Sequence, residues 1–96
     1  MSREQFFRQY RAEILRLAAK HGAHNVRVFG SVARGEATDQ SDVDLLVEVG
    51  TNPSFFFPGG LVADLEDLLG RPVDVVTEQG LHWYIRDRVL KEAVLL

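Results

Sequence analysis

Apolar residues recur every three or four positions in three segments of the chain, the spacing that places them on one face of a helix. The first segment follows Ser2, which forms a capping-box pattern with Gln5, and ends near Gly22. The second is rich in leucine and is stopped by Gly70 and Pro72. The apolar positions of the three predicted helices are Phe7, Tyr10, Ile14 and Leu17; Leu61, Leu65, Leu68 and Leu69; and Leu81, Ile85, Val89 and Ala93.

Short apolar runs rich in β-branched residues, bounded by glycine or polar residues, predict three strands. They lie at Val26 to Phe29, Val43 to Val49 and Val73 to Val76. The resulting order is helix, strand, strand, helix, strand, helix. It predicts an α/β (α+β) sandwich in which a small mixed sheet of three to four strands is covered by helices. The chain contains no repeat or low-complexity stretch, so one domain is expected over residues 1–96.

Composition narrows the classes of partner. The 96 residues, 46% of them hydrophobic, suffice for one core. Eleven basic against fourteen acidic residues give a net charge of -3, which lacks the basic surplus that binding to a nucleic-acid backbone usually requires. There is no cysteine, no run near the roughly 20 apolar residues of a membrane span, and no signal-peptide core at the N-terminus. We therefore expect a cytoplasmic protein that does not bind a membrane, and the charge disfavours a nucleic-acid partner without excluding one.

The first residues with chemical potential follow the first predicted strand, where the chain reads Gly30-Ser31 and then Arg34-Gly35. Glycine lets the backbone come close to a bound phosphate, and serine offers an N–H and a hydroxyl to phosphate oxygens. In isolation, a Gly-Ser pair after a strand is most often an ordinary turn. Arg34 either neutralises phosphate charge or pairs with a nearby carboxylate of Glu36, Asp39 or Asp42.

Two carboxylates open the second predicted strand. Residues i and i+2 of an extended strand point to the same side, so Asp42 and Asp44 are expected side by side, with Val43 facing the opposite way. Mg²⁺ commonly takes one or two carboxylates together with substrate phosphates. An Asp-x-Asp pair alone is most often a solvated strand end. Its combination with the preceding Gly-Ser pair predicts a site for nucleotide phosphates and magnesium.

The pattern Gly30-Ser31, ten intervening residues and Asp42-x-Asp44, with Ser41 also in place, resembles the signature of the minimal nucleotidyltransferases of the DNA polymerase β superfamily. The similarity continues through the segments Arg71 to Thr77 and Leu81 to Ala93. In particular, the chain resembles the MNT antitoxins of HEPN/MNT toxin-antitoxin pairs. The resemblance implies a mixed sheet with flanking helices. It also implies transfer of AMP from ATP to a tyrosine of a partner HEPN toxin, which is a ribonuclease.

The resemblance also implies site roles, because the family's three acidic positions carry over to Asp42, Asp44 and Asp74 as catalytic and metal-binding residues. In the mechanism expected from these charges, Asp42 and Asp44 hold Mg²⁺ against the triphosphate while Gly30 and Ser31 bind the β- and γ-phosphate oxygens. Asp74 completes a second metal position and is the candidate to take the proton of the attacking hydroxyl. Arg34 is the remaining candidate for nucleotide binding.

Asp74 also has an argument of its own. It is the only charge in a run of β-branched residues, and a buried carboxylate without a partner would cost several kcal/mol. This favours a place beside the metal-binding pair. The alternative is an edge-strand carboxylate that faces water or pairs with Arg71.

Three consecutive aromatic residues, Phe55 to Phe57, cannot all face one core from a short segment. Either two rings join the core and one is exposed, or the cluster binds a partner, together with Trp83 and Tyr84. Pro58-Gly59-Gly60 follows directly and leaves the start of the next helix uncertain.

Three functions remain open at this point. The first is a magnesium-dependent protein adenylyltransferase that acts as an antitoxin, and the set of three aspartates favours it. The second is an antitoxin that neutralises its toxin by binding and occlusion without catalysis, and the third is a nucleotidyl-transfer module of a larger assembly. Because 96 residues leave little surface to enclose both nucleotide and acceptor, the chain is expected to depend on a partner, in a homo- or hetero-oligomer.

Overall fold

The computed structural model describes residues 2–53, 55 and 57–96, in which four helices and four strands follow one another. The helices are α1 Arg3–Lys20, α2 Gly30–Arg34, α3 Gly59–Leu69 and α4 Trp83–Glu92. The strands are β1 Ala23–Phe29, β2 Val43–Val49, β3 Val73–Thr77 and β4 Val94–Leu95.

The strands form one mixed sheet in the order β3-β2-β1-β4. β1 runs antiparallel to both β2 and β4, whereas β2 and β3 are parallel. Parallel pairing requires a crossover connection, and α3 supplies it between β2 and β3. The predicted α+β fold, with a mixed sheet flanked by helices, is confirmed.

The main core lies between one face of this sheet and the two longest helices, α1 and α3, which also contact each other. Alternate residues of β2 enter this core, whereas residues between them face the other side of the sheet. Leu46 and Val89 are buried but lie outside the main core cluster. The largest fully buried side chains of the main core are Phe6, Ile14, Leu45, Leu61 and Leu65.

The start of α1 is built as the sequence predicts. The hydroxyl of Ser2 accepts a hydrogen bond from the backbone N–H of Gln5 at 3.1 Å, and the Gln5 side chain accepts one from the Ser2 N–H at 2.8 Å. This reciprocal capping box satisfies two N–H groups that would otherwise lack partners.

Several predicted boundaries are wrong. β1 begins at Ala23 rather than Val26, since its polar residues pair with β2 through backbone groups; His24 faces Glu48 there. The short helix α2 was not predicted as an element. The last helix ends at Glu92 because Ala93 is extended, and the following residues add β4 to the edge of β1.

The region before α3 also differs in detail from expectation. α3 begins at Gly59, directly after Pro58, without a side-chain cap among the described residues. Phe57 packs against the core, whereas Phe55 is 93% exposed. Phe56 lies outside the described residues. Within the described part of the chain, none of the helices combines the length and apolar character needed to cross a membrane.

We predict that Leu65→Ala lowers the free energy of unfolding by about 2–5 kcal/mol, because it removes apolar contacts and leaves a cavity in the fully buried interface of α3 with the sheet. The matched control is Leu95→Ala on β4, where the same side chain is 65% exposed and the change should stay within about 0.5 kcal/mol. Urea denaturation measures both. Equal losses in the two variants would contradict the assignment of the core.

Candidate active site

Gly30 begins α2 at the end of β1 and has a φ of +70°, a conformation that L side chains rarely adopt. A Cβ atom built on Gly30 would overlap the Asp44 carboxylate. From the sequence, this glycine is expected to let the backbone come close to a phosphate. In the structure, the space beside its Cα is taken by Asp44 instead, so glycine is required for the carboxylate to lie against the turn.

Ser31 follows on α2 and is half-buried, and its Oγ has no hydrogen-bond partner among the described residues. The side chains of Val32 and Ala33 are both buried and pack α2 against the core. The helix ends at Gly35 in a left-handed conformation, and the Glu36 N–H donates to the Ser31 carbonyl at 2.9 Å. The serine hydroxyl is therefore presented from a fixed turn and is open to a ligand.

Asp42 and Asp44 lie where β2 begins, as predicted. Asp42 is exposed and Asp44 is half-buried. Burial raises the pKa of Asp44 above its ordinary value, and the negative charges of Asp74, Asp42 and Glu92 raise it further, while Arg34 opposes them. The Asp44 carboxylate is thus at the centre of a cluster of like charges.

Asp74 joins this cluster because β2 and β3 pair in parallel, with Asp74 directly beside Asp44. The prediction that the fold brings Asp74 next to the Asp-x-Asp pair is confirmed. The burial argument that led to it is wrong, since Asp74 is exposed. β3 is an edge strand, so alternate residues of its β-branched run need not be covered by protein.

Arg34, the last residue of α2, is held by two carboxylates. Its Nη1 lies 2.6 Å from Glu92 Oε1, and its Nε lies 3.1 Å from Glu36 Oε2. The hydrogen bonds to Glu92 and then Glu36 raise the pKa of the Arg34 guanidinium. Of the ion pairs that the sequence offered, the one with Glu36 is present, and Glu92 was not among them.

Glu92 is the site residue that the sequence analysis missed. Besides Arg34, it binds the backbone N–H of Gly30, which donates to Oε2 at 2.8 Å. Burial acts to raise the pKa of Glu92, but the hydrogen bonds from Arg34 and Gly30 outweigh it and leave the pKa below its ordinary value. A signal was present in the sequence, because an acidic residue in the last turn of a helix opposes the helix dipole and needs a reason to be there.

Among the described residues, no group of three histidine or acidic side chains converges closely enough to hold a metal ion unaided. The geometry thus brings Asp42 and Asp74 near Asp44 without forming a closed three-ligand cage among the described residues. A carboxylate pair with open positions still fits Mg²⁺, which accepts one or two carboxylates and completes its shell with phosphate and water oxygens.

Comparison with known proteins identifies the family of the chain. A family model described as nucleotidyltransferase domain matches residues 10–96. A relative from Methanocaldococcus jannaschii, "Putative protein adenylyltransferase MJ0435", is 40% identical over 86 residues, which cover 90% of this chain and 92% of that protein. "Protein adenylyltransferase MntA" from Thermococcus cleftensis is 42% identical over 78 residues, which cover 81% of this chain and 79% of the relative.

Solved structures show the same fold. One described as "Structure of putative minimal nucleotidyltransferase" is 48% identical, has a TM-score of 0.82, and is matched over 100% of this chain and 97% of that chain. A second, "Crystal structure of the toxin-antitoxin with AMP-PNP", is 20% identical with a TM-score of 0.73, over 88% of this chain and 69% of that chain. The chain belongs to the nucleotidyltransferase domain family, as an enzyme of the minimal type related to the protein adenylyltransferases.

Proposed function

We propose that this chain is a magnesium-dependent adenylyltransferase that transfers AMP from ATP to a tyrosine of a HEPN ribonuclease toxin and thereby acts as its cytoplasmic antitoxin. The observation that carries the proposal is the position of Asp44, which lies against the Gly30 turn, directly beside Asp74 on β3 and close enough to Asp42 for both charges to raise its pKa. A relative is named protein adenylyltransferase MntA, and a neighbour of the same fold is described as a toxin-antitoxin with AMP-PNP. Both names support this chemistry.

The nucleotide side of the reaction is assigned to the residues around Asp44. Asp42 and Asp44 would hold Mg²⁺, and Asp74, which lies beside Asp44, would be next to the ion. When bound, the ion neutralises charge on the triphosphate and on the departing pyrophosphate. Ser31 donates from its hydroxyl to the terminal phosphates, and the guanidinium of Arg34 adds positive charge to the same side.

The acceptor side is assigned to Asp74. The oxygen of the acceptor tyrosine attacks the α-phosphorus, the bond from that phosphorus to the bridging oxygen of the β-phosphate breaks, and pyrophosphate leaves with the bonding electrons. Asp74 accepts the phenolic proton. Its exposure on an edge strand suits this role, because a side chain of a second protein can reach it.

Neutralisation by occlusion is the rival function, and it would need a surface that binds the toxin. Phe55, Trp83 and Tyr84 are exposed by 93%, 79% and 77%, and the last two lie together on the first turn of α4. Large exposed aromatic side chains are typical of surfaces that bind another protein. Such a surface serves an enzyme with a protein substrate equally well, so covalent modification is what separates the two functions.

The deciding experiment incubates the purified chain with ATP, Mg²⁺ and a candidate HEPN toxin, and then removes the chain before the ribonuclease activity is assayed. Mass spectrometry should show one AMP added to a toxin tyrosine, and the toxin should stay inactive. The double variant Asp42→Asn/Asp44→Asn should add no mass and give no protection. Trp83→Ala is the control for association, since it should slow modification without abolishing it. A double variant that protects as well as the wild type, with no added mass, would establish occlusion instead.

We predict that ATP binding depends on Mg²⁺, because the carboxylates around Asp44 repel a triphosphate unless a cation lies between them. Isothermal calorimetry should show affinity at least about tenfold lower in EDTA than in Mg²⁺, a difference of about 1.4 kcal/mol. Asp67→Asn, at an exposed carboxylate on α3, should retain the full Mg²⁺ dependence. Equal affinity in the two buffers would remove the metal-binding role from Asp42 and Asp44.

We also predict that Asp44→Asn lowers the rate of AMP transfer by about a hundredfold or more, since several kcal/mol of charge stabilisation are lost. Without metal, the same variant should be more stable than the wild type at pH 7. The raised pKa means that folded Asp44 holds its proton more tightly than the unfolded chain does. The stability of the wild type therefore falls as the pH rises from the ordinary pKa of aspartate to the raised pKa of folded Asp44.

The stability gain of Asp44→Asn should therefore vanish below the ordinary pKa of aspartate, where the carboxyl group is protonated in both states. Thermal melts of the metal-free protein at pH 3 and pH 7 measure the difference, with Asp67→Asn as the control. A variant that melts well below the wild type at pH 7 would identify Asp44 as a structural carboxylate.

A further inference from the structure

The carboxylate of Glu92 joins two parts of the candidate active site that are distant in sequence. Oε2 accepts the Gly30 N–H at 2.8 Å, and Oε1 accepts from Arg34 Nη1 at 2.6 Å. The Glu92 side chain is only 20% exposed. Both oxygens are therefore engaged at short distance, one with the backbone at the start of α2 and the other with the guanidinium at its end.

Without its hydrogen bonds to Gly30 and Arg34, the position of Glu92 would be electrostatically unfavourable. It is the last residue of α4, where the helix dipole disfavours a negative charge. Its charge also raises the pKa of Asp44. A carboxylate retained here costs stability unless its hydrogen bonds compensate, and the contacts with Gly30 and Arg34 are the ones that do so.

We propose that Glu92 is a positioning residue for nucleotidyl transfer, which fixes Gly30 and Arg34 together so that the groups on α2 are arranged for the phosphates before ATP arrives. This inference rests on the proposed function, because it concerns the nucleotide of that same site.

The geometry explains how Glu92 acts without touching the nucleotide. Gly30 carries the positive φ, and the Asp44 carboxylate lies against it, so a hydrogen bond to its N–H fixes both the turn and the surface on which Asp44 rests. The backbone that carries Ser31 is then held in one place. A site that is already ordered loses less entropy when it binds its ligand.

The second group that Glu92 holds is the guanidinium of Arg34. Glu92 takes Nη1 and Glu36 takes Nε, which leaves Nη2 without a hydrogen-bond partner among the described residues. The Arg34 side chain is 47% exposed. The planar guanidinium is thus held at two of its three nitrogens by separate carboxylates, and Nη2 stays available to a ligand, so phosphate binding does not require Glu92 to leave.

The test compares Glu92→Gln with Glu36→Gln, since both carboxylates bind Arg34 but only Glu92 also binds Gly30. Glu92→Gln should weaken Mg²⁺-ATP binding about tenfold and raise the KM for ATP in proportion, with a smaller change in kcat, because it weakens charge-assisted hydrogen bonds without removing a reacting group. Glu36→Gln breaks an exposed pair and should change the affinity less than about fivefold. Glu92→Asp keeps the charge on a shorter side chain, which places the carboxylate farther from Gly30 and Arg34, and should give an intermediate loss of ATP affinity.

A second readout is independent of turnover. In ¹⁵N-labelled protein, the amide proton of Gly30 should move upfield and exchange faster in Glu92→Gln, because a hydrogen bond to a carboxylate becomes one to a neutral amide. Gly70 serves as the internal reference, since its N–H donates to the backbone oxygen of Glu66 at 2.8 Å and is unaffected by the substitution. Thermal melts establish that each variant is folded.

Weaker ATP binding together with a displaced Gly30 signal supports the proposal. Tighter ATP binding in Glu92→Gln would overturn it, because Glu92 would then be an anion that competes with phosphate. Unchanged binding, an unmoved Gly30 signal, or loss of folding in both Glu92 variants would also overturn it and leave a structural ion pair. If the wild type binds ATP but transfers no AMP, the proposed function fails, while the binding and amide measurements still decide the role of Glu92.

Discussion

The register between β1 and β2 is the constraint on which the rest of the site depends. It pairs Phe29, the last residue of β1, with Asp44, so the Asp44 carboxylate meets the chain where it turns into α2. Only glycine fits at position 30, because of both the positive φ and the carboxylate beside its Cα. A slip of one residue would turn Asp44 to the opposite face of the sheet, into the main core. The parallel pairing with β3 then adds Asp74 to the same place.

That register concentrates negative charge. Asp42, Asp74 and Glu92 all raise the pKa of Asp44, and Arg34 is the cation that opposes them. The folded chain maintains this repulsion at a cost in stability, offset by burial elsewhere in the sheet. A chain with a net charge of -3 also attracts no phosphate through its overall field. In the proposed function, binding of an anionic nucleotide at this position depends on local positive charge, from Arg34 and from a cation held by the aspartates.

Local patterns carried most of what could be predicted from the sequence. The α1 cap, β2 and the placement of Asp42 beside Asp44 each depend on residues close in sequence, and each is present in the structure. The start of β1 was missed because it contains the polar residues His24 and Asn25, and β4 was missed because it is only two residues long.

Long-range contacts were harder to foresee. Asp74 was placed correctly, but by resemblance and by a burial argument that an edge strand does not satisfy. Glu92 reaches Gly30 across 62 positions, through a helix whose end is set by β4, and no spacing rule connects the two. Its unfavourable place at a helix C-terminus was the one local sign. A residue that only positions other residues carries no motif of its own. The sign of such a residue in a sequence is a charge placed where it lowers the stability of the local structure.

The exposure of the carboxylates divides the site into two sides. Asp44 is half-buried and fixed against the Gly30 turn, whereas Asp42 and Asp74 face solvent. Of the two residues assigned to the nucleotide, Asp44 is therefore built into the fold and Asp42 is exposed, while Asp74, assigned to the acceptor, is open to solvent. A small acceptor is normally held in a concave pocket that buries most of its surface. An acceptor on a second protein brings its own surface and closes the site from outside, so an exposed Asp74 on an edge strand fits a protein substrate better than a small one.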